Sequence, residues 1–289
     1  MTELYDGDIK VNKIGIICMF KNNEKYLEDF FFNIVEEFEQ TYIHTEFEYY
    51  IIENNSSDNT RNMLKEFFKK KSTKSKLLLF NMKEDFKNIG NGKNYERLYN
   101  LANIRNKLID NIVPLNADWC LFIDSNIFFK KDILEQCFRY SPSEKNIGML
   151  IPYTQQLFIP NLHKLPNLTK PTLLNHYYDT FSFYDTNNKT FWPYCAFQKC
   201  NLCNRSNCMD RNAISKDLSI VDVSSAFSGF CLIKTDIVNN KLIRWETLSH
   251  EVTNDESVCE HFLFCYMLRK LTNKRIVVLQ DVDNIYRTF

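Results

Sequence analysis

Three polar residues, Asp124, Ser125 and Asn126, follow an apolar run and could together bind a hard metal ion. The run is Trp119–Ile123, and its composition is typical of a central strand in a covered sheet. Open α/β sheets bind ligands at the carboxyl ends of such strands. One carboxylate and two neutral oxygens suit Mg²⁺ or Mn²⁺ bridging a diphosphate. A simple turn is the alternative, because short polar residues also end strands in turns.

A second polar segment, residues 53–60, follows the apolar residues 49–52 and could hydrogen-bond a nucleoside. Its acids and amides include Glu53, Asn55 and Asp58. Asp58 also suits the N-cap of a helix that extends to about residue 71. The alternative is a capped loop without a ligand, since Asn, Ser and Asp are also favoured capping residues.

A third candidate is Arg105, which lies with Ala102 and Asn106 on a predicted helix. A buried arginine can hold a phosphate through paired hydrogen bonds. A helical arginine in contact with solvent is the alternative. The case for a phosphate-binding role of Arg105 therefore depends on the motifs around it.

The apolar spacing predicts alternating strands and helices in the first half of the chain. The predicted strands are 14–20, 49–53, 76–80 and 119–123, and the predicted helices are 24–39, a helix from Asp58 to about 71, 95–110 and 131–140. This alternation favours crossover connections and helices on both faces of a sheet. We therefore expect the α/β class, with a Rossmann-like, mostly parallel central sheet.

The second half has a different composition, with many aromatic residues, Asn and Pro from residue 152 to 217. We expect irregular structure there. Regular elements are predicted to return as strands at 219–223, 230–233 and 275–279 and as a helix near 255–271. No internal repeat is visible.

The charge and hydropathy of the chain exclude several classes of partner. Lys and Arg number 36 and Asp and Glu also 36, so the net charge is +0 and there is no basic excess for nucleic acid. No apolar stretch approaches the length of a membrane span. The N-terminus lacks the pattern of a secretory signal. We expect a cytoplasmic protein of 289 residues, with neither a nucleic-acid partner nor a membrane span.

Four cysteines lie close together at Cys195, Cys200, Cys203 and Cys208. Four thiolates at this spacing, including a Cys-x-x-Cys pair, suit a structural Zn²⁺. Two disulfides or unpaired thiols are the alternatives, although a reducing compartment disfavours disulfides. The other six cysteines have apolar neighbours and are predicted to pack in the core; they are Cys18, Cys120, Cys137, Cys231, Cys259 and Cys265.

The order of the first-half motifs resembles that of nucleotide-sugar glycosyltransferases of the GT-A fold, over about residues 12–155. The resemblance rests on the loop 21–23 after the first strand, the segment 53–60, the Ala-x-x-Arg-Asn helix, and the strand that ends in Asp124-x-Asn126. The family has a second acid where this chain has Asn126. The resemblance implies a UDP- or GDP-sugar donor with Mn²⁺ or Mg²⁺ at Asp124 and Asn126. It implies donor contacts from Phe20, Asn22, Glu53, Asn55, Asp58, Arg105, Asp124 and Ser125.

The second half is similar to the capsule-associated mannosyltransferase-like group. The matching segments are residues 178–181 with Asp185, residues 226–230, and residues 259–261. This resemblance implies that Asp179, Ser228 and Gly229 lie near the sugar and the acceptor. In an inverting enzyme, Glu260 would take the proton of the acceptor hydroxyl. His261 would be a further metal ligand or would orient its neighbours, and His250 and Glu251 are alternatives for these roles.

Together these inferences predict one catalytic domain over residues 1–289. Residues 12–155 would bind the nucleotide, and residues 156–289 would bind the acceptor and contain the Cys-rich loop 195–208. The predicted reaction moves a sugar to a hydroxyl of a glycan or glycoprotein. A nucleotidyltransferase is one alternative, disfavoured by the absence of a Gly-rich, basic loop after the first strand. A non-catalytic nucleotide-sugar or glycan-binding module is the other.

Overall fold

The computed structural model of the protein describes residues 2–71, 74–81, 95–140, 146–158, 170–190, 196–198, 214–248, 258–282 and 285–287. Its strands, in chain order, are β1 (Tyr5–Asp6), β2 (Ile9–Lys10), β3 (Lys13–Phe20), β4 (Glu46–Asn54), β5 (Lys76–Phe80), β6 (Trp119–Ile123), β7 (Ile127–Phe128), β8 (Ile147–Pro152), β9 (Gln155–Phe158), β10 (Thr172–Tyr177), β11 (Tyr184–Asp185), β12 (Ile220–Ser225), β13 (Phe230–Lys234), β14 (Arg275–Leu279) and β15 (Tyr286–Arg287).

The helices are α1 (Glu24–Tyr26), a π-helical segment (Leu27–Phe32), α2 (Asn33–Thr41), α3 (Thr60–Lys69), α4 (Tyr95–Ile112), α5 (Ile133–Phe138), α6 (Thr235–Val238) and α7 (Glu260–Thr272). The predicted helices are thus present, although α5 is shorter than expected and a π-helical segment interrupts the first helix. None of these helices is long and apolar enough to cross a membrane.

Nine strands form the central sheet in the order β11-β12-β14-β8-β13-β6-β3-β4-β5. The pairings β5-β4, β4-β3 and β3-β6 are parallel, which confirms the α/β prediction for the first half. The second half extends this sheet but adds antiparallel pairs, because β13 lies antiparallel between β6 and β8. The carboxyl ends of β3, β4 and β6 therefore share one edge of the sheet.

The expectation of irregular structure over residues 152–217 is wrong for part of that stretch. Strands β9 and β10 pair with each other, and β9 also pairs with the C-terminal strand β15, which in turn pairs with β7. This four-stranded sheet joins the second half of the chain to the residues that directly follow Asp124. The sequence did not reveal these strands because they are short and polar residues interrupt their apolar pattern.

The central sheet is covered on both faces by apolar side chains, as the alternation of side chains along a strand requires. On β3, Ile16 and Cys18 point into one core cluster and Ile17 into the other. The first cluster contains Trp119 and the second contains Trp245. Burial on both faces explains why the central strands are continuous apolar runs.

Candidate functional site

Asp124 lies at the carboxyl end of β6, where its backbone N–H donates to the carbonyl of Gly229 at 2.8 Å. Gly229 has a φ of +69°, and a Cβ at that position would come within 3.1 Å of Asp124 Oδ2 and 2.8 Å of Ile127 Cδ1. Glycine is therefore required for the Asp124 carboxylate to reach its position. The predicted small-residue turn thus supports the acid directly.

Ser228, the other predicted residue of this turn, is fully buried and also has a left-handed backbone, with a φ of +60°. Its Oγ lies 3.1 Å from Thr154 Oγ1 and 3.1 Å from the carbonyl oxygen of Pro152. These contacts tie the turn to the end of β8. The side chain of Ser228 accordingly holds the turn and does not face an open surface.

The Asp124 carboxyl is partly buried, and several charges act on it. Burial raises its pKa, the positive charges of Arg105, Arg287 and Arg97 oppose that rise, and the negative charge of Glu260 adds to it. The pocket beside Asp124 has a cavity volume of about 20 Å³, which is room for about one water molecule.

Arg105 forms a buried ion pair with Glu260 Oε1 through its Nη1. Arg105 lies on α4 and Glu260 is the first residue of α7, so the pair joins the two halves of the chain. Burial opposes ionisation of Glu260, but His261 and Arg105 outweigh it and lower the pKa of Glu260 to about 2. In this arrangement Glu260 is a carboxylate that already has a cationic partner.

His261 is buried and packs its ring against Phe227, with 3.8 Å between the ring centroids. Its Nδ1 accepts a hydrogen bond from the indole N–H of Trp245 at 3.1 Å, and its Nε2 lies 3.6 Å from Glu260 Oε1. Burial and the charge of Arg105 lower the pKa of His261 to about 3 against the opposing influence of Glu260. His261 is therefore neutral near pH 7.

Asn106, the residue after Arg105 on α4, holds the backbone of Trp245. Its side-chain amide donates to the backbone carbonyl of Trp245 at 2.8 Å and accepts from the Trp245 N–H at 3.0 Å. Asn106 thus fixes the residue that hydrogen-bonds His261. Arg105 and Asn106 act on the same cluster from adjacent positions of α4.

The predicted nucleoside loops contact each other at the sheet edge. Asn22, with a φ of +53°, donates its N–H to Ser56 Oγ at 2.9 Å and accepts from the Ser57 N–H at 2.8 Å. Asp58 accepts from the N–H groups of Thr60 and Glu24 at 3.0 and 3.1 Å. The N-cap of α3 is Asn59 and not Asp58, so that prediction is wrong by one residue. Asp58 instead binds the N–H of Thr60, the first helical residue, and joins the two loops.

Ser125 takes part in the same network, because its Oγ accepts a hydrogen bond from Asn23 Nδ2 at 2.8 Å. Asn55 is exposed, has a φ of +52°, and donates its N–H to the carbonyl of Phe80 at 3.0 Å. The loops after β3, β4 and β6 therefore form one connected surface. This surface includes the exposed Asn22 and the partly buried Asp124.

Two predicted donor residues, Glu53 and Phe20, are buried. Glu53 is fully buried, accepts from the Ser56 N–H at 2.7 Å and forms an ion pair with Arg61. Phe20 packs edge-on against Phe31 in the core, with 4.9 Å between the ring centroids. Both side chains shape the loops around them, so any contact with a nucleoside would be made by their neighbours or by the backbone.

Asp179 is partly buried and accepts hydrogen bonds from Ser182 Oγ at 2.7 Å and from the Ser182 N–H at 3.4 Å. Burial raises the pKa of Asp179, the hydrogen bonds from Ser182 oppose the rise, and the negative charges of Glu260 and Asp124 add to it. These effects show that three acids belong to one electrostatic cluster, Asp124, Asp179 and Glu260. In the sequence these acids lie in three separate motifs.

A divalent metal is compatible with the Asp124 position, because magnesium sites often consist of one or two carboxylates with substrate phosphates. Among the described residues, one group of three side chains has potential ligand atoms within 4.8 Å of one another, and it consists of Cys259, Glu260 and His261. Arg105 beside this group disfavours a second cation there. Both nitrogens of His261 face groups of the same buried cluster. Its role as a metal ligand or as an orienting residue stays a prediction.

Six cysteines are buried free thiols, as predicted: Cys18, Cys120, Cys137, Cys231, Cys259 and Cys265. The four cysteines predicted to bind zinc, at positions 195, 200, 203 and 208, lie outside the described residues, and so do His250 and Glu251. The zinc site stays a prediction.

Sequence reasoning missed the four side chains Trp245, Phe227, Arg97 and Arg287. Trp245 and Phe227 contact His261, while Arg97 and Arg287 act on Asp124. Phe227 lies within the predicted small-residue segment, but the other three carry no local motif. Their role arises from contacts between segments that are far apart in the chain.

A parallel half-sheet whose strand ends present an acid next to paired polar loops is the architecture of the GT-A glycosyltransferases, and this chain is a member of that class. More narrowly, the chain belongs to the family described as Cryptococcal mannosyltransferase 1, whose model matches residues 13–266. No curated protein matches the sequence significantly.

Solved structures that share the fold include two that contain UDP. S. aureus TarS 1–349, crystallised with UDP, is similar with a TM-score of 0.50 and 16% identity, covering 96% of this chain and 60% of that chain. GalNAc-T7, crystallised with UDP, GalNAc and Mn²⁺, is similar with a TM-score of 0.54 and 10% identity, covering 96% of this chain and 44% of that chain. The chain thus spans less than two thirds of the length of either structure, and at this identity the likeness shows the fold alone.

Proposed function

We propose that the protein is a hexosyltransferase that moves a sugar from a nucleoside diphosphate donor to a hydroxyl of a glycan or glycoprotein. The carrying observation is the electrostatic cluster of Asp124, Arg105, Glu260 and Asp179 at the edge of the parallel half-sheet. Membership in a mannosyltransferase family supports sugar transfer. The UDP in the TarS and GalNAc-T7 structures supports a nucleotide-sugar donor.

In this proposal the whole chain is one catalytic unit with two functional halves. Residues 12–155 bind the donor, whose nucleoside lies over the surface of Asn22, Asn55 and Asp58. Residues 156–289 bind the acceptor beside Asp179 and the Ser228–Gly229 turn. The ion pair between Arg105 and Glu260 supports this division, because it brings one residue of each half to the boundary between the two substrates.

The diphosphate of the donor would lie next to Asp124 and Ser125. When bound there, Mn²⁺ or Mg²⁺ would be held by Asp124, with Asn126 as a neutral oxygen ligand, and would stabilise charge on the leaving diphosphate. Arg105 would contribute positive charge to the same group. Because Asn126 is neutral, Asp124 provides the carboxylate of this tripeptide.

Glu260 is proposed to accept the proton of the acceptor hydroxyl. A carboxylate with a pKa of about 2 is a weak base, so its pairing with Arg105 describes a resting arrangement. A donor diphosphate competes with Glu260 for the Arg105 guanidinium, and weakening of the ion pair raises the pKa of Glu260. Glu260 would therefore become a stronger base when a donor is bound.

Hydrolysis of UDP- and GDP-sugars in the presence of Mn²⁺ tests the donor site. Asp124→Asn should abolish hydrolysis and leave the fold intact, as judged by circular dichroism. Asp110→Asn is the matched control, because Asp110 is an exposed acid on α4 whose partner is Arg244. Hydrolysis by Asp124→Asn at the wild-type rate would reject the donor site.

Transfer to a glycan acceptor tests the role of Glu260 separately. Glu260→Gln should bind the donor at least as tightly as the wild type, because the carboxylate that competes for Arg105 is gone, while transfer falls by about 100-fold or more, as expected for loss of general-base catalysis. Donor binding without hydrolysis or transfer by the wild-type protein would favour the non-catalytic module. Release of pyrophosphate from a nucleoside triphosphate would favour the nucleotidyltransferase.

A further inference from the structure

Arg287 lies beside the candidate donor site although it is remote from every motif of the sequence. Its strand β15 is antiparallel to β7, and Arg287 lies opposite Ile127, the residue that directly follows Asn126. The rings of Phe128 and Tyr286 stack in the same strand pair, with centroids 5.2 Å apart. This pairing holds Arg287 next to the Asp124–Asn126 tripeptide.

The guanidinium of Arg287 has a defined position, because it lies over the ring of Tyr178 at 4.4 Å from the centroid. Tyr178 directly precedes Asp179, and its N–H donates to the carbonyl of Thr154 at 2.9 Å. Burial raises the pKa of Asp124 and of Tyr178, and the positive charge of Arg287 opposes both rises. Arg287 thus links the segment that follows Asp124 to the segment that contains Asp179.

A bound diphosphate would need a further positive charge at this site, such as that of Arg287. Asp124 and Asp179 are acids, and Arg105 is shared between Glu260 and the diphosphate in the proposed function. A diphosphate adds further negative charge, which is unfavourable in partly buried surroundings unless cations are near. With Asn126 in place of an acid, the tripeptide has a single carboxylate for a metal. An arginine also matches phosphate oxygens with paired N–H donors.

We propose that Arg287 binds the diphosphate of the donor nucleotide directly, and that this contact holds the diphosphate even when no divalent cation is bound. The inference rests on the proposed function, because it concerns the same donor. Tyr178 positions the guanidinium, and Arg97, a third arginine that acts on Asp124, adds positive charge to the same subsite. The ligand class is a nucleoside diphosphate or its sugar ester.

The test is calorimetric titration of the full chain with UDP, GDP, uridine and guanosine, each in Mn²⁺ and in EDTA. Arg287→Gln should weaken binding of the diphosphate about tenfold or more in both buffers, as expected for loss of a charge-assisted contact. Binding of the matching nucleoside should not change. Arg287→Lys should give a smaller loss, because it keeps the charge without the paired donors.

Arg139→Gln is the matched control and should bind like the wild type. Arg139 is exposed and follows Phe138, which packs on Trp119 at the opposite end of β6 from Asp124. Circular dichroism checks the fold of each variant, and Arg287→Lys provides the comparison if Arg287→Gln does not fold.

Three results would overturn the inference while leaving the proposed function intact. These are unchanged diphosphate affinity in both Arg287 variants, an equal loss for diphosphate and nucleoside, or complete loss of wild-type diphosphate binding in EDTA. Failure of the wild-type protein to bind UDP or GDP in either buffer would instead reject the proposed function, and the inference with it.

Discussion

Arg105 of α4 and Glu260 of α7 form a buried ion pair although they are 155 positions apart in the chain. Arg105 belongs to the half that carries the nucleoside loops, and Glu260 belongs to the half that carries Asp179. The pair also influences Asp124, since Arg105 opposes and Glu260 reinforces the rise in the pKa of that carboxyl. Stability and the arrangement of the site therefore depend on the same two side chains.

Removal of one partner of this pair should destabilise the fold, because the other charge remains buried and unpaired. We expect Arg105→Met or Glu260→Met to lower the free energy of unfolding by about 3–5 kcal/mol. The double variant should lose less than the sum of the two. Urea denaturation of the four proteins measures this coupling. Asp110→Asn, in an exposed pair, should cost about 1 kcal/mol or less, and additive losses at Arg105 and Glu260 would contradict the pairing.

His261 should make the protein less stable as the pH falls below about 6.5. Its pKa is lowered to about 3 in the folded state, so between these values the unfolded chain binds a proton that the folded protein does not. The contribution of His261 to the free energy of unfolding should fall by about 1.4 kcal/mol per pH unit in this window. Urea denaturation at pH 7, 6 and 5 measures it.

His261→Gln should reduce this pH dependence. His44→Gln, at an exposed position, is the control and should retain the wild-type slope. Equal slopes for the wild-type protein and His261→Gln between pH 6 and 5 would show that His261 is not held neutral in the folded protein.

Gly229→Ala should damage both stability and the donor site. The added Cβ is strained at a φ of +69° and would contact Asp124 Oδ2 and Ile127 Cδ1, so we expect a loss of about 1–3 kcal/mol and weaker binding of the donor. Gly7→Ala is the control, since Gly7 also has a positive φ, of 65°, but lies between β1 and β2. It should lose stability without loss of donor affinity. Equal donor affinity in both variants would contradict the role of Gly229.

Asn106→Ala should loosen the segment that holds Trp245. Two hydrogen bonds to the Trp245 backbone disappear, and we expect the free energy of unfolding to fall by about 1–3 kcal/mol. The tryptophan fluorescence spectrum should shift, because the indole would reach solvent more often. Asn111→Ala, which removes one exposed hydrogen bond to Lys107 on the same helix, should change neither property by a comparable amount.

The local pattern of apolar residues was sufficient to predict the regular elements of the first half. Strands β3, β4, β5 and β6 and helix α4 are continuous apolar or amphipathic segments, and their order implied a parallel arrangement. The antiparallel insertion of β13 was not predictable in this way, because one strand carries the same alternation whichever way its neighbours run. Strands β9, β10 and β15 were missed for a related reason, since their short segments are stabilised by pairing with each other.

By itself, the sequence determined that an apolar strand ends at Asp124, that polar loops follow the neighbouring strands, and that the motifs resemble a glycosyltransferase class. These are local properties, set by side-chain periodicity and by the polarity of strand ends. Only the tertiary structure decided that Arg105 pairs with Glu260, that Glu53 is buried against Arg61, and that Arg287 lies beside Asp124. The physical reason is that a charged side chain has several possible partners along the chain, and packing selects the one that compensates its burial.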